Sequence, residues 1–198
     1  MDAEHLRRQQ IHGTNYHYNS DVKEPPGTVF RVLGTVIGDW KDELQLAKDS
    51  SRQEVWGSRA ENADIINTCK LSEHTPTLNR IAPLLKFKRV LSQRVQTQKP
   101  GGTVTKHFDD FTKEVEPTEK AIRLLIMLEE WESGQALVFS NQTYTGWAKG
   151  EVIYSDFEKV PHATSNVSWN ERSLLLLTGV CSSDTIDILA FGLNTVNV

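Results

Sequence analysis

Arg172-Ser173-Leu174-Leu175-Leu176-Leu177-Thr178 reads as a buried strand that opens on a cation. Four consecutive leucines are a short apolar run of strand length. The same pattern spreads outward on both sides. Residues 121–128 form a second strongly apolar stretch, and residues 87–98 are a candidate strand, stopped by Pro100-Gly101-Gly102. Further strands are predicted over residues 103–109, 134–139, 151–155, 162–166 and 184–191, with a turn over 141–146. Many short strands separated by turn residues argue for a sandwich or closed barrel.

Upstream, residues 28–37 read as a strand, with Gly34 a candidate bulge. Residues 39–50 read as a helix, because Trp40, Leu44 and Ala47 recur at three- and four-residue steps. Residues 75–85 suggest a short helix with Pro76 near its start. Residues 1–28 are polar and close on Glu24-Pro25-Pro26-Gly27, so they read as an irregular arm or lid. His5, His12 and His17 in this arm share no helical or strand face and read as surface histidines, as does His74.

A chain of 198 residues most simply makes one domain. Its parts would be the arm, a supporting strand and helices over 29–85, and a β core over 86–198. Hydrophobic content of 38% and charged content of 24% are those of a globular protein. A formal charge of −4 speaks against bulk attraction to nucleic acid. The basic stretch Lys86, Lys88, Arg89 and Arg94 reads as the solvated side of a strand rather than a polyanion site. No apolar run has the length of a membrane span. Cys69 and Cys181 form no disulfide framework and no zinc spacing, which suits a reducing, cytoplasmic setting.

The chemistry concentrates in Lys106-His107-Phe108-Asp109-Asp110-Phe111. On a strand, residues two apart share a face, so His107 and Asp109 can grip one metal ion. His162, in Val160-Pro161-His162-Ala163-Thr164, can add a third ligand from a later strand. Two His and one carboxylate with open positions form the facial triad of non-heme Fe(II) oxygenases. Arg172 follows His162 by ten residues. Taken alone, it either meets solvent at a strand end or seeks an acid, since a buried guanidinium needs an anionic partner. Beside the two ligand segments it points to a carboxylate ligand.

Pro100-Gly101, His107-x-Asp109, Trp147-x-x-Gly150-Glu151-Val152, Pro161-His162-Ala163-Thr164-x-Asn166, Arg172 and Leu176-Leu177-Thr178-Gly179 together resemble the Fe(II)/2-oxoglutarate-dependent dioxygenases. The likeness spans roughly residues 85–180 and is nearest to small prolyl-hydroxylase-like members from bacteria and phages. It implies a mainly β fold with flanking helices, the double-stranded β-helix, a jelly-roll or cupin-like barrel. It assigns His107, Asp109 and His162 to Fe(II) and Arg172 to the far carboxylate of 2-oxoglutarate. With O2, such enzymes hydroxylate a substrate and release succinate and CO2. A carboxylate at Asp109, where halogenating members carry a small residue, implies hydroxylation or a related oxidation. Leu174 stands where many members have Ser, and Arg172 where collagen-type prolyl hydroxylases often have Lys. Gln98 stands where relatives often have Tyr; it reads either as a cosubstrate hydrogen-bonding group or as an edge-strand polar residue.

The substrate class expected is a peptide, a protein side chain or an amino-acid-like small molecule. Two alternatives remain open at this point. One is a cupin-like metal enzyme without 2-oxoglutarate. The other is a non-catalytic binding module on the same fold. Trp131, Trp147 and Trp169 read as packing residues, Glu129-Glu130 as a loop rim, Asp110 as solvated and Asn166 as a turn tie. Tyr144 is a candidate lid residue.

Overall fold

The four-leucine run lies in the middle of the larger of two sheets. The computed structural model describes residues 29–56 and 64–198. The arm with its three histidines lies outside the described residues. The strands are β1 (Phe30–Ile37), β2 (Arg52–Trp56), β3 (Asp64–Lys70), β4 (Arg89–Gln98), β5 (Gly102–His107) and β6 (Ala121–Met127). They continue with β7 (Gln135–Phe139), β8 (Gln142–Tyr144), β9 (Glu151–Ser155), β10 (His162–Asn166), β11 (Arg172–Val180) and β12 (Val196–Asn197). The helices are α1 (Lys41–Asp49), α2 (Pro76–Asn79), α3 (Ile81–Leu84) and α4 (Ser183–Phe191).

One sheet has eight strands in the order β12-β1-β9-β6-β11-β4-β3-β2; the other has four, β5-β10-β7-β8. Strand alternation sorts the side chains of β11 and β6 into two cores. Leu174 and Leu176 of β11, with Leu125 and Met127 of β6, meet Leu137 and Phe139 of β7 between the sheets. Leu175 and Leu177, with Leu124 and Ile126, face the other way and meet Trp40, Leu44 and Ala47 of the α1 region and Leu78, Ile81 and Ala82 of α2 and α3. Both faces are covered, which is why the leucine run does not alternate with polar residues. Each fully buried leucine is worth about 1.5–3 kcal/mol over exposure. The result is the expected jelly-roll sandwich with helices on one face, made of two separate sheets rather than one closed barrel.

The local signals hold in part. Gly34 marks a register shift in the pairing of β1 with β9. A Cβ there would meet the Leu193 carbonyl oxygen at 1.8 Å. Trp40 Nε1 donates to Leu128 O at 3.0 Å and anchors the start of α1 to the end of β6. Residues 75–85 form two single-turn helices instead of one. Pro83 has no N–H to bond the Asn79 carbonyl, so the helical ladder breaks between them.

Three segments differ from the sequence reading. Residues 184–191 are not a strand but lie in helix α4. Ile186 and Ile188 alternate with polar residues, which suits a strand. The preceding residue decides otherwise: Ser182 Oγ accepts from Thr185 N at 3.1 Å, and Thr185 Oγ1 accepts from Ser182 N at 3.2 Å. That reciprocal cap starts a helix. The β2–β3 pair was not foreseen, because Arg52-Gln53-Glu54 is a polar stretch at the sheet's end. The turn at 141–146 contains β8, which pairs with β7 through Phe139↔Gln142.

Candidate active site

His107 is the last residue of β5 and His162 the first of β10, and the two are register partners. Their rings sit 4.2 Å apart between centroids. Both are nearly buried, at 9% and 7% exposure. Asp109 differs from the expectation in one respect. The strand ends at His107, so Asp109 is a loop residue and shares no strand face with it. It is brought to the imidazoles by its backbone, whose N–H donates to Phe157 O at 2.9 Å. Asp109 Oδ1 then lies 3.7 Å from His107 Nε2 and 3.8 Å from His162 Nε2. One ligand atom from each residue falls within 4.8 Å of the other two.

The remaining atoms of the cluster are held elsewhere. His107 Nδ1 is 2.8 Å from Thr105 O, and His162 Nδ1 is 3.2 Å from Val160 O. A carbonyl can only accept, so each Nδ1 donates, and each Nε2 is the ring nitrogen left toward the cluster. Burial, with help from the neighbouring His107, pushes His162 down to about 3. It is neutral at physiological pH. Asp109 Oδ2 accepts from Arg123 Nη1 at 2.6 Å. Burial pushes the Asp109 carboxyl up, but Arg123 and the two imidazoles outweigh it and hold the group below the usual carboxylate range. Two imidazoles and a carboxylate form the donor set that suits a divalent transition metal.

Arg172 is 2% exposed. It reaches from the large sheet into the small one, donating from Nη1 to Ala136 O of β7 at 3.1 Å. Its Nη2 donates to Gln98 Oε1 at 2.5 Å. Gln98 Oε1 also accepts from Thr164 Oγ1 of β10 at 3.2 Å. Among the described residues no carboxylate pairs with Arg172. Burial alone lowers its pKa to about 9. Its Nε, the Nε2 of Gln98 and the Nε1 of Trp147 are buried without a hydrogen-bond acceptor among the described residues. The guanidinium lies 5.9 Å from the Trp147 ring centroid. Unsatisfied buried donors beside a buried cation with no carboxylate partner among the described residues call for a physical explanation. Thr164 stands two positions after His162 on β10, a step of roughly 6.6 Å.

Gln98 is not on an edge strand: β4 lies between β11 and β3, and the residue is 1% exposed. Asn166 ties the turn as expected, its Nδ2 donating to Gln98 O and to Asn170 O, both at 2.9 Å. Trp147 is core, whereas Trp169 is 95% exposed. Tyr144 packs on Phe30 and Trp147 and bonds Glu151, so it is a wall residue rather than a mobile lid. Glu129 pairs with Lys48 at 2.8 Å. Asp110 Oδ1 caps the Thr112 backbone N–H at 2.9 Å. In the basic stretch, Lys88 and Arg89 both bond Glu119, and Arg94 lies 3.7 Å from Glu54. Arg123 was missed. The available signal was a lone cation inside the apolar run Ala121-Ile122-Arg123-Leu124-Leu125-Ile126-Met127.

No family model matches the sequence, and no curated protein matches it. Solved structures do. The viral collagen prolyl hydroxylase of Paramecium bursaria Chlorella virus-1, solved with 2OG, superposes with a TM-score of 0.54 at 15% identity. That match covers 79% of this chain and 98% of the other. The non-heme alpha-ketoglutarate-dependent epimerase SnoN from nogalamycin biosynthesis gives 0.55 at 13% identity, covering 76% of each chain. The chain has their fold. At this level of identity the likeness concerns the jelly-roll architecture, and the chemistry has to be argued from the residues. No helix among the described residues is long and apolar enough to cross a membrane.

Proposed function

We propose that this chain is an Fe(II)- and 2-oxoglutarate-dependent oxygenase that hydroxylates a peptide, a protein side chain or an amino-acid-like small molecule. Residues 1–198 act in this reading as a single oxygenase domain. The observation that carries it is Arg172, a buried guanidinium with no carboxylate partner among the described residues, linked through Gln98 to Thr164 on the strand that also carries His162 of the His/Asp/His cluster. The donor set fits ferrous iron: two imidazole nitrogens and one carboxylate oxygen leave positions open for small molecules. His107, Asp109 and His162 would hold the iron. When bound, iron supplies the O2 activation that couples 2-oxoglutarate decarboxylation to substrate oxidation.

The protein's own groups do the rest. Thr105 O and Val160 O fix the imidazole tautomers. Arg172 receives the far carboxylate of the diacid, and the Gln98 Nε2 and Trp147 Nε1 donors complete its seat. Leu125, Met127, Leu174 and Leu176 wall the space between the sheets and exclude water from it. A cupin-type metal enzyme without a diacid would leave Arg172 with no task. The viral hydroxylase shares the fold and supports a peptide as one substrate to test.

The test is succinate release. Purified protein should form succinate only with ferrous iron and 2-oxoglutarate together, including slow uncoupled turnover without substrate. Arg172→Ala should abolish it. Metal binding with no succinate under any condition, or full activity in Arg172→Ala, refutes the proposal.

A further inference from the structure

Asp109 sits in a loop, two residues past the end of β5, so strand geometry does not aim its carboxylate. Something else must choose which oxygen faces the imidazoles. Arg123 on β6 makes the only charge-assisted contact to Oδ2, at 2.6 Å, among the described residues. The guanidinium is itself fixed from two other directions. Its Nε donates to Thr178 Oγ1 on the neighbouring strand β11 at 3.1 Å. Its Cζ lies 5.1 Å from the Phe111 ring centroid, a cation–π distance. Asp109 and Arg123 side chains are only 9% and 16% exposed, so water does not screen the pair strongly. Arg123 and Thr178 are register partners, so the sheet places both ends of this clamp.

We propose that Arg123 is a positioning residue of the metal centre: it holds Asp109 by Oδ2 and so presents Oδ1, alone, to His107 and His162. The inference rests on the proposed metal site and adds to it. Its forked shape lets one group bond Thr178 and Asp109 at once. A lysine ammonium has the charge without the planar fork and cannot reproduce both contacts. The charge acts against a nearby divalent cation by simple repulsion. Only the orientation acts in its favour, so a variant that keeps charge and loses the fork isolates the positioning role.

The experiment is Ni(II) or Co(II) titration of the apoprotein, followed by calorimetry or by the Co(II) ligand-field bands, with the apoprotein melting temperature as control. Arg123→Lys should weaken metal binding by about 10- to 100-fold, the usual scale for groups that orient metal ligands. Its Co(II) bands should shift as Asp109 changes its mode of ligation. Thr178→Val keeps Arg123 but frees its Nε and should weaken binding by a smaller factor with the same spectral trend. Wild-type affinity and bands in both variants overturn the clamp, even if the melting temperature falls. Should Arg123→Lys fail to fold, Thr178→Val decides alone. A wild-type protein that takes up neither ion overturns the metal site itself, a result separate from failure of the clamp.

Discussion

Replacing Arg172 by methionine separates stability from ligand binding. In the apoprotein the change has opposing effects. Exchanging a buried, unpaired charge for an apolar chain of similar length is commonly neutral or stabilising by about 1–4 kcal/mol. Against this, Ala136 O and Gln98 Oε1 each lose a donor. An unsatisfied buried acceptor costs about 1–3 kcal/mol, though Gln98 Oε1 keeps Thr164 Oγ1. The terms nearly cancel, so the apoprotein should melt within a few degrees of wild type, at about 2–4 °C per kcal/mol for this size. Diacid binding has no such compensation. Removing one partner of a buried charge pair costs about 2–5 kcal/mol in binding. At ~1.36 kcal/mol per tenfold, that is roughly 30- to 5,000-fold in Kd. The assay is thermal melting of the Ni(II)-loaded protein with increasing 2-oxoglutarate. Ligand at a hundred times Kd should stabilise wild type by about 2.7 kcal/mol, and the shift should fall to about 0.9 kcal/mol or less in Arg172→Met at the same concentration. A full ligand-induced shift in the variant refutes the anion-seat argument. So does a large loss of apoprotein stability, because Arg172 would then be a structural cation.

The same reasoning sets three further expectations. Asp109→Ala should destabilise the metal-free protein by about 3 kcal/mol, since it strands the Arg123 charge, while His162→Ala strands none; comparative melting checks the order. The affinity for 2-oxoglutarate should be flat through neutral pH and fall as pH rises past about 9, where Arg172 loses its proton; calorimetry across that range tests the sign. The unliganded fold shows the opposite trend. A lowered folded pKa means the unfolded chain holds more protons above pH 9, so this group's destabilising burial is relieved as pH rises. Ser182→Ala removes the α4 cap and should cost about 1 kcal/mol, with faster amide exchange over residues 183–191.

Much of the candidate site was legible because its residues lie at strand ends. His107 finishes β5, while His162, beside Pro161, and Arg172 begin β10 and β11. The leucine run of β11 was legible for a different reason: no other placement hides four leucines in a row. What stayed hidden was settled by long-range contacts. The loop position of Asp109 depends on Phe157, forty-eight residues on. Gln98 was ambiguous because its neighbour β3 comes from a polar hairpin that carries no apolar pattern. In α4 the alternation of apolar and polar residues fits both periods, and a two-residue capping exchange at Ser182 and Thr185 chooses between them.

These observations make the two sheets unequal partners. The small sheet brings the imidazoles, from β5 and β10. The large sheet brings Arg172, Gln98 and Arg123, from β11, β4 and β6. Neither sheet holds a complete site, so the spacing between them is a chemical variable. It is set by Leu125, Met127, Leu174 and Leu176 packing on Leu137 and Phe139. Register is equally constrained. A one-residue slip of β10 would turn His162 and Thr164 away and bring Pro161 and Ala163 inward, losing a ligand and the Gln98 contact together. The pairing of β10 with both β5 and β7 opposes that slip. Arg172 to Ala136, Gln98 to Thr164 and Asn166 to Gln98 link the two sheets through polar contacts around the proposed anion seat, and Tyr144 to Glu151 links them elsewhere. A diacid bound between that seat and the metal would tie the same sheets together a second time, so its binding and the closure of the sandwich should be coupled in sign.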